Sequence, residues 1–292
     1  MKNQSGQALL LVLLGMSVIL TIALSILSSS VVDVKVTTNE QDALRAFSAA
    51  EAGIEKALVA GSAANGNING SSYSAIFTAG ASSTSYLYPA NIISGDTATI
   101  WLVNHAADES LVCDATHLCF TGKTIKFCWG NPGTAAGSAT TPAIEISFLY
   151  LNTPGDYSTV RIARGVYDPN SSRTPTNFFS APDAGACTVN GANYAFQKTV
   201  DVSTLGVPIT VYNVANGLQM ARVRLLYNTS VAHPIAIDTN FAGNANFPPQ
   251  AVRIESTGTS GESTRKVEVF KGYADLPPIF DGVIFTSPDI VK

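Results

Sequence analysis

The sequence predicts an α+β protein. One long N-terminal helix spans a membrane and packs, at its outer half, on a predominantly antiparallel β domain. Three observations predict it: an uncharged apolar run near the start, a helical apolar periodicity after it, and short β-branched segments of alternating polarity over the remainder. Composition is consistent with this. The 292 residues include 17 Lys+Arg and 21 Asp+Glu, a formal net charge of −4, and only 13% charged residues. Soluble domains carry about 25% charged residues, so Ser, Thr, Asn and Gly must supply the wetted surface. No Lys/Arg cluster forms the footprint a duplex binder requires, which excludes strong nucleic-acid binding.

The first element is the apolar run. No charged residue occurs from Gln7 to Val32, and Ala8 to Leu27, with Leu11, Leu14 and Leu20 between them, is almost wholly aliphatic. As a helix, about 20 such residues span roughly 30 Å, the thickness of a bilayer's hydrocarbon core. Three readings compete. A cleaved secretory signal fits Lys2 and Ser28-Ser29-Ser30, but its apolar stretch is about 7 to 15 residues and this one is longer. An uncleaved anchor with its N-terminus inside fits the positive-inside bias. The third reading depends on the flanking residues.

Those residues extend the helix. Leu44, Phe47, Ala50, Ile54 and Leu58 recur at spacings of three and four, and Asp42, Arg45, Glu51, Glu55 and Lys56 fall largely on other faces. This stripe is expected to cover the sheet. The Val31–Val36 stretch alternates like a strand, but helical patterns on both sides favour a continuous helix.

The polar leader ending Ser5-Gly6, the run Gln7-Ala8-Leu9-Leu10-Leu11-Val12, and the later Ala46-Phe47-Ser48-Ala49-Ala50-Glu51-Ala52-Gly53-Ile54-Glu55 together resemble the N-terminus of PilX-type minor pilins. They are also similar to K-type minor pseudopilins of type II secretion. The resemblance covers the first 60 or so residues. It implies cleavage by a prepilin peptidase after Gly6, with Gln7 as first mature residue, and assembly with other pilin-like subunits and the pilus machinery. In most major pilins the fifth mature residue is Glu; here it is Leu11. An unpaired carboxylate in an apolar core is costly, so its absence implies a subunit lacking the usual neighbour on one side, at a tip or in an initiating complex. No proline precedes Pro89, which implies an unbroken helix.

The organisation expected is a leader over 1–6, the membrane and assembly helix over 7–60, a Gly/Ser/Asn-rich connecting region over 61–98 and an exported β-rich domain over 99–292. Strands are expected at Thr99–Val103, Thr124–Trp129, Ile144–Leu151, Thr159–Ala163, Phe196–Val202, Ile209–Val214, Met220–Leu226, Pro234–Ile237, Val252–Ser256 and Arg265–Phe270. They suit a β-sandwich or a pilin-like sheet enlarged by insertions. Ser256 to Gly261 reads as a turn joining the last two.

Cys113, Cys119, Cys128 and Cys187 fall in the exported part, where an even number suggests disulfides. Four cysteines allow three pairings. Cys113 with Cys119 closes a tight loop and leaves Cys128 with Cys187, which is the preferred one. The rival is a zinc set of Cys113, His117, Cys119 and Cys128, although no Cys-x-x-Cys knuckle is present. Gly122-Lys123-Thr124 lacks the upstream glycine of a phosphate loop and reads as a turn. His105, His117 and His233 stand far apart with no nucleophile elbow or zincin motif. No catalytic residue, metal ligand or cofactor is therefore assigned. Asp108, Glu109, Asp156, Asp168 and Asp183 lie in loop-like stretches without calcium-loop spacing. Asn69, Asn170 and Asn228 begin Asn-x-Ser/Thr triplets, and the aromatics, Phe178 and Phe179 included, are expected in the core.

The function expected is that of a minor, tip or initiation subunit of a type IV pilus or related filament. It would sit in the inner membrane with its N-terminus inside, then in the extracellular filament, with a host or surface ligand for its β domain. The alternative is a signal-anchored surface binding domain with no filament role.

Overall fold

The computed structural model describes residues 5–80, 82–240, 245–275 and 277. The leader residues up to Gln4 and the stretch 278–292 lie outside the described residues. The chain divides into two compact units, Met1–Thr78 with Arg253–Phe270, and Ala79–Val252 with Lys271–Lys292.

The first unit is built on one unbroken helix, Ser5–Ala60, of 56 residues. No proline interrupts it, and the β-branched Val31–Val36 stretch is helical throughout. It ends at Gly61, which takes the left-handed φ of 61° that a side chain resists. The outer half of the helix packs on a four-stranded sheet ordered Ala64–Ile68, Ser71–Ala79, Ala251–Ser260, Ser263–Gly272.

The helix face that meets the sheet differs from the expected stripe. Ala50 and Ile54 are buried as expected and Leu58 is half-buried, but Leu44 is 69% exposed and Phe47 44% exposed. The buried line is Ala46, Ala49, Ala50, Gly53, Ile54 and Ala57. At about 100° per residue, Leu44 stands roughly 200° around the helix from Ala46. The reason is backbone approach. A Cβ placed on Gly258 would collide with the Ala46 carbonyl oxygen and come within 2.5 Å of the Ala50 nitrogen; one on Gly53 would collide with the Ser256 hydroxyl. Only small residues allow the helix so near the sheet, and bulky Leu44 and Phe47 are left outside.

The region expected to be a connector is also structured. Ala64–Ile68 and Ser71–Ala79 form an antiparallel hairpin with Ile68 opposite Ser71. Its two-residue turn, Asn69-Gly70, has φ of 49° and 80°, both positive as a type I′ turn requires. Ser85–Leu87 is a further strand.

The second unit is a sandwich-like pair of antiparallel sheets. One is ordered Phe196–Asp201, Thr124–Trp129, Ile235–Asp238, Ser85–Leu87; the other is ordered Thr97–Trp101, Leu218–Leu226, Ala143–Leu151, Val160–Tyr167. Residues from both sheets, among them Ile125, Phe127, Trp129, Ile146, Phe148 and Val223, form one buried apolar cluster. The strand expected over Ile209–Val214 is instead a helical turn, Ile209–Tyr212. Val211 and Tyr212 are buried as neighbours, not as alternates, and the Pro208 carbonyl accepts from both of their N–H groups. The last two strands extend to Ser260 and from Ser263, so most of the expected turn belongs to a strand.

Replacing Gly258 with Val is expected to destabilise the first unit by about 1–3 kcal/mol through overpacking. Leu44→Ala should change stability by less than about 0.5 kcal/mol. Thermal unfolding in detergent micelles, followed by circular dichroism, reads both; a larger loss for Leu44→Ala would contradict the face assigned here.

Candidate functional site

The feature that sets this chain apart is the first half of the helix. From Leu9 to Val36 its aliphatic side chains are open on every face; Leu11, Leu14, Leu20 and Leu27 are each more than half exposed. Each such side chain left in water forgoes about 1.5–3 kcal/mol, so the segment requires lipid or other apolar partners. Its length and composition suit a membrane crossing. Three of its hydroxyls bond back to the helix: Ser17 donates to the Leu14 carbonyl and Thr21 to that of Val18, both at 2.8 Å, and Ser29 to that of Ile26 at 3.0 Å. Gly6 and Gln7 are helical in backbone.

Where the helix meets its sheet, polar contacts fix its rotation. Ser260 Oγ donates to Asp42 at 3.3 Å, and Ser263 Oγ to the Asn39 carbonyl at 3.4 Å. Beside this contact lies a shallow groove of about 270 Å³ between the helix and the first hairpin, lined by Leu44, Arg45, Ser48, Ile68 and Ser71. The Ser71 hydroxyl is buried there and has no hydrogen-bond partner among the described residues.

In the second unit the cysteines pair as Cys113–Cys119 and Cys128–Cys187, with Cα separations of 5.5 and 5.8 Å. These sulfurs are consequently not available as a zinc set. His117 lies on the small disulfide loop, its Nδ1 3.0 Å from Asp114. The Asp114 carboxyl is held far below the ordinary range by hydrogen bonds from Thr116 and His117. His105 and His233 are buried elsewhere. His233 Nδ1 accepts from the Asn131 N–H at 3.0 Å, and burial lowers its pKa.

The acidic loop residues are occupied by turns. Asp108, Asp114, Asp156 and Asp201 each accept from both the N–H and the hydroxyl of the Ser or Thr two residues on. Asp168 is buried and receives two hydrogen bonds from Arg173, at 2.7 and 3.0 Å, with others from Asn177 and the Asn170 N–H. Asp183 pairs with Lys198 at 2.7 Å. Among the described residues, no group of His, Cys, Asp and Glu is arranged to hold a metal.

Of the Asn-x-Ser/Thr triplets, Asn170 and Asn228 are buried and only Asn69 is exposed. Most of the aromatics fall in or against the core as expected. Phe178 does not: it is 86% exposed and left-handed in backbone, with φ of 57°, at the end of the Thr174–Asn177 turn. Sequence reasoning missed it because no hydropathy pattern marks an apolar residue held outward by its backbone.

The two disulfides are expected to differ in worth. In the chain-entropy model, closing a separation of 59 residues stabilises by about 4 kcal/mol and closing 6 by about 2 kcal/mol. Denaturant unfolding followed by tryptophan fluorescence should therefore show a greater loss for the Cys128→Ser/Cys187→Ser pair than for Cys113→Ser/Cys119→Ser. Comparison with protein-family models, curated proteins and solved structures returns no match for this chain.

Proposed function

We propose that this protein is a minor, pilin-like subunit of a type IV pilus or related filament, with a structural role in assembly and surface attachment and not a catalytic one. The observation that carries the reading is a single helix with two environments. Its first half exposes aliphatic side chains on all faces, and its outer half is sealed by small residues on an antiparallel sheet. An N-terminal apolar helix of this kind can be held in a membrane and then transferred to a bundle of like helices without refolding the part outside. The leader, the Gly6-Gln7 junction and the Ala-Glu-Ala-Gly-Ile-Glu run support the same reading. Its partners would be the membrane, a prepilin peptidase, other pilin-like subunits and a ligand on a host or other surface. Leu11, in place of the usual Glu, supports a tip or initiation position. Before assembly it would sit in the inner membrane with its N-terminus inside.

Mass spectrometry of the mature N-terminus tests this. A chain beginning at Gln7, and loss of that product together with filament incorporation in Gly6→Ala, is the expected outcome. A chain beginning at Met1 would support the surface-anchored binding domain instead, and one beginning near Val31 would contradict both.

A further inference from the structure

From the end of the last strand, Ser263–Gly272, the chain makes contacts within the second unit through alternate residues. Lys271 pairs with Glu109. Tyr273 stacks on His105 with ring centroids 3.7 Å apart and planes 7° from parallel, and Trp101 meets the same imidazole edge-on at 4.6 Å. Asp275 accepts from Arg222 Nη1 at 2.6 Å and from the Thr99 hydroxyl. Arg222 is itself buried. His105 is the centre of this fastening. Its backbone N–H donates to Asn104 Oδ1 at 2.8 Å, but its Nδ1 is buried with no hydrogen-bond partner among the described residues.

We propose that Lys271–Asp275 is an acid-released clasp, closed over His105 while the imidazole is neutral and opened when the ring takes a proton. The chemistry of the ring supports this. Neutral imidazole offers two flat apolar faces and can leave one nitrogen unpaired at modest cost. In imidazolium both nitrogens are donors, so Nδ1 would become a buried N–H of a cation with no acceptor. The charged groups around the ring are Glu109, from the turn of the Asn104–His105/Leu111–Val112 ribbon, and Lys271, from the clasp, which pair with each other. Asp275 and Arg222 pair at the other end of the clasp. Glu109 favours the protonated ring, but burial outweighs it and holds the His105 pKa at about 4. The Tyr273 hydroxyl is raised by burial and then by Glu109, so Tyr273 is neutral across this range.

A histidine depressed to about 4 when covered, and returning to about 6.5 when uncovered, stabilises the closed clasp above pH 6.5 and loses that contribution as the pH falls toward 4. Between pH 7.5 and pH 5 the opening equilibrium should rise about 30-fold from this group alone. Opening would expose the Trp101–His105 surface.

The test is amide hydrogen exchange, read by mass spectrometry on peptides covering 271–277 of the full chain in detergent micelles and corrected for intrinsic rates. The wild type should open about 30-fold more at pH 5 than at pH 7.5, and His105→Phe, which keeps a flat ring and removes the titration, should abolish that rise. An equal rise in His105→Phe, or a wild-type rise below about 3-fold, overturns the proposal. An NMR titration of the wild-type imidazole is an independent check: a midpoint near 4 supports the clasp, and one near 6.5 overturns it.

Discussion

The close approach of the long helix to the Ala251–Ser260 strand is the constraint on which the first unit depends. Gly258 against Ala46 and Ala50, and Gly53 against Ser256, leave no room for a larger side chain on either backbone. Because the helix lies near the start of the chain and the strand near its end, this contact closes residues 79–252 into one long excursion. In sequence, residues 79–252 of the second unit are inserted between the two hairpins of the first. A helix attached in this way can change its surroundings along one half while the other half stays seated.

The second unit is stabilised by means suited to a weakly charged surface. Its core is a shared apolar cluster between two sheets, reinforced by the buried Cys128–Cys187 bond. Acidic side chains largely serve turns and local pairs. The repeated pattern, Asp followed two residues later by Ser or Thr, satisfies a backbone N–H and a hydroxyl together. Low charge and abundant Ser and Thr thus form one design, in which many loops are ordered by short-range hydrogen bonds, beside a few ion pairs distant in sequence such as Lys271–Glu109 and Arg222–Asp275.

The parts of this fold legible in the sequence were those written in bulky residues. The apolar run, the unbroken helix and most of the alternating strands, such as Thr124–Trp129, could be read from periodicity because their apolar residues are large and regularly spaced. The helix–sheet contact was legible only in part, at Ala50 and Ile54; the rest of its face is Ala and Gly, and the large apolar residues Leu44 and Phe47, at the same helical spacing, fall outside it. Asn69-Gly70 and Asn190-Gly191 were legible but unread. Each is an Asn-Gly pair with positive φ at both residues, joining hairpin strands with Ile68 opposite Ser71 and Val189 opposite Ala192. In 61–98 a Gly/Ser/Asn-rich composition typical of a connector coexists with turn chemistry that specifies a hairpin. His105 beneath Tyr273 is a juxtaposition across more than half the chain that no local pattern encodes.

One helix is thus exposed on all faces along its first half and held by a mainly small-residue face along its outer half. Nitroxide scanning from Leu9 to Leu58 in liposomes, with oxygen and nickel-chelate accessibility read by electron paramagnetic resonance, tests it most directly. Lipid-type accessibility is expected at every position through the apolar run. Beyond it, a helical period should emerge, with immobilisation at Ala46, Ala50 and Ala57 and free motion at Leu44 and Phe47. Immobilisation of Leu44 and Phe47 with mobile labels at Ala46 and Ala50 would contradict it.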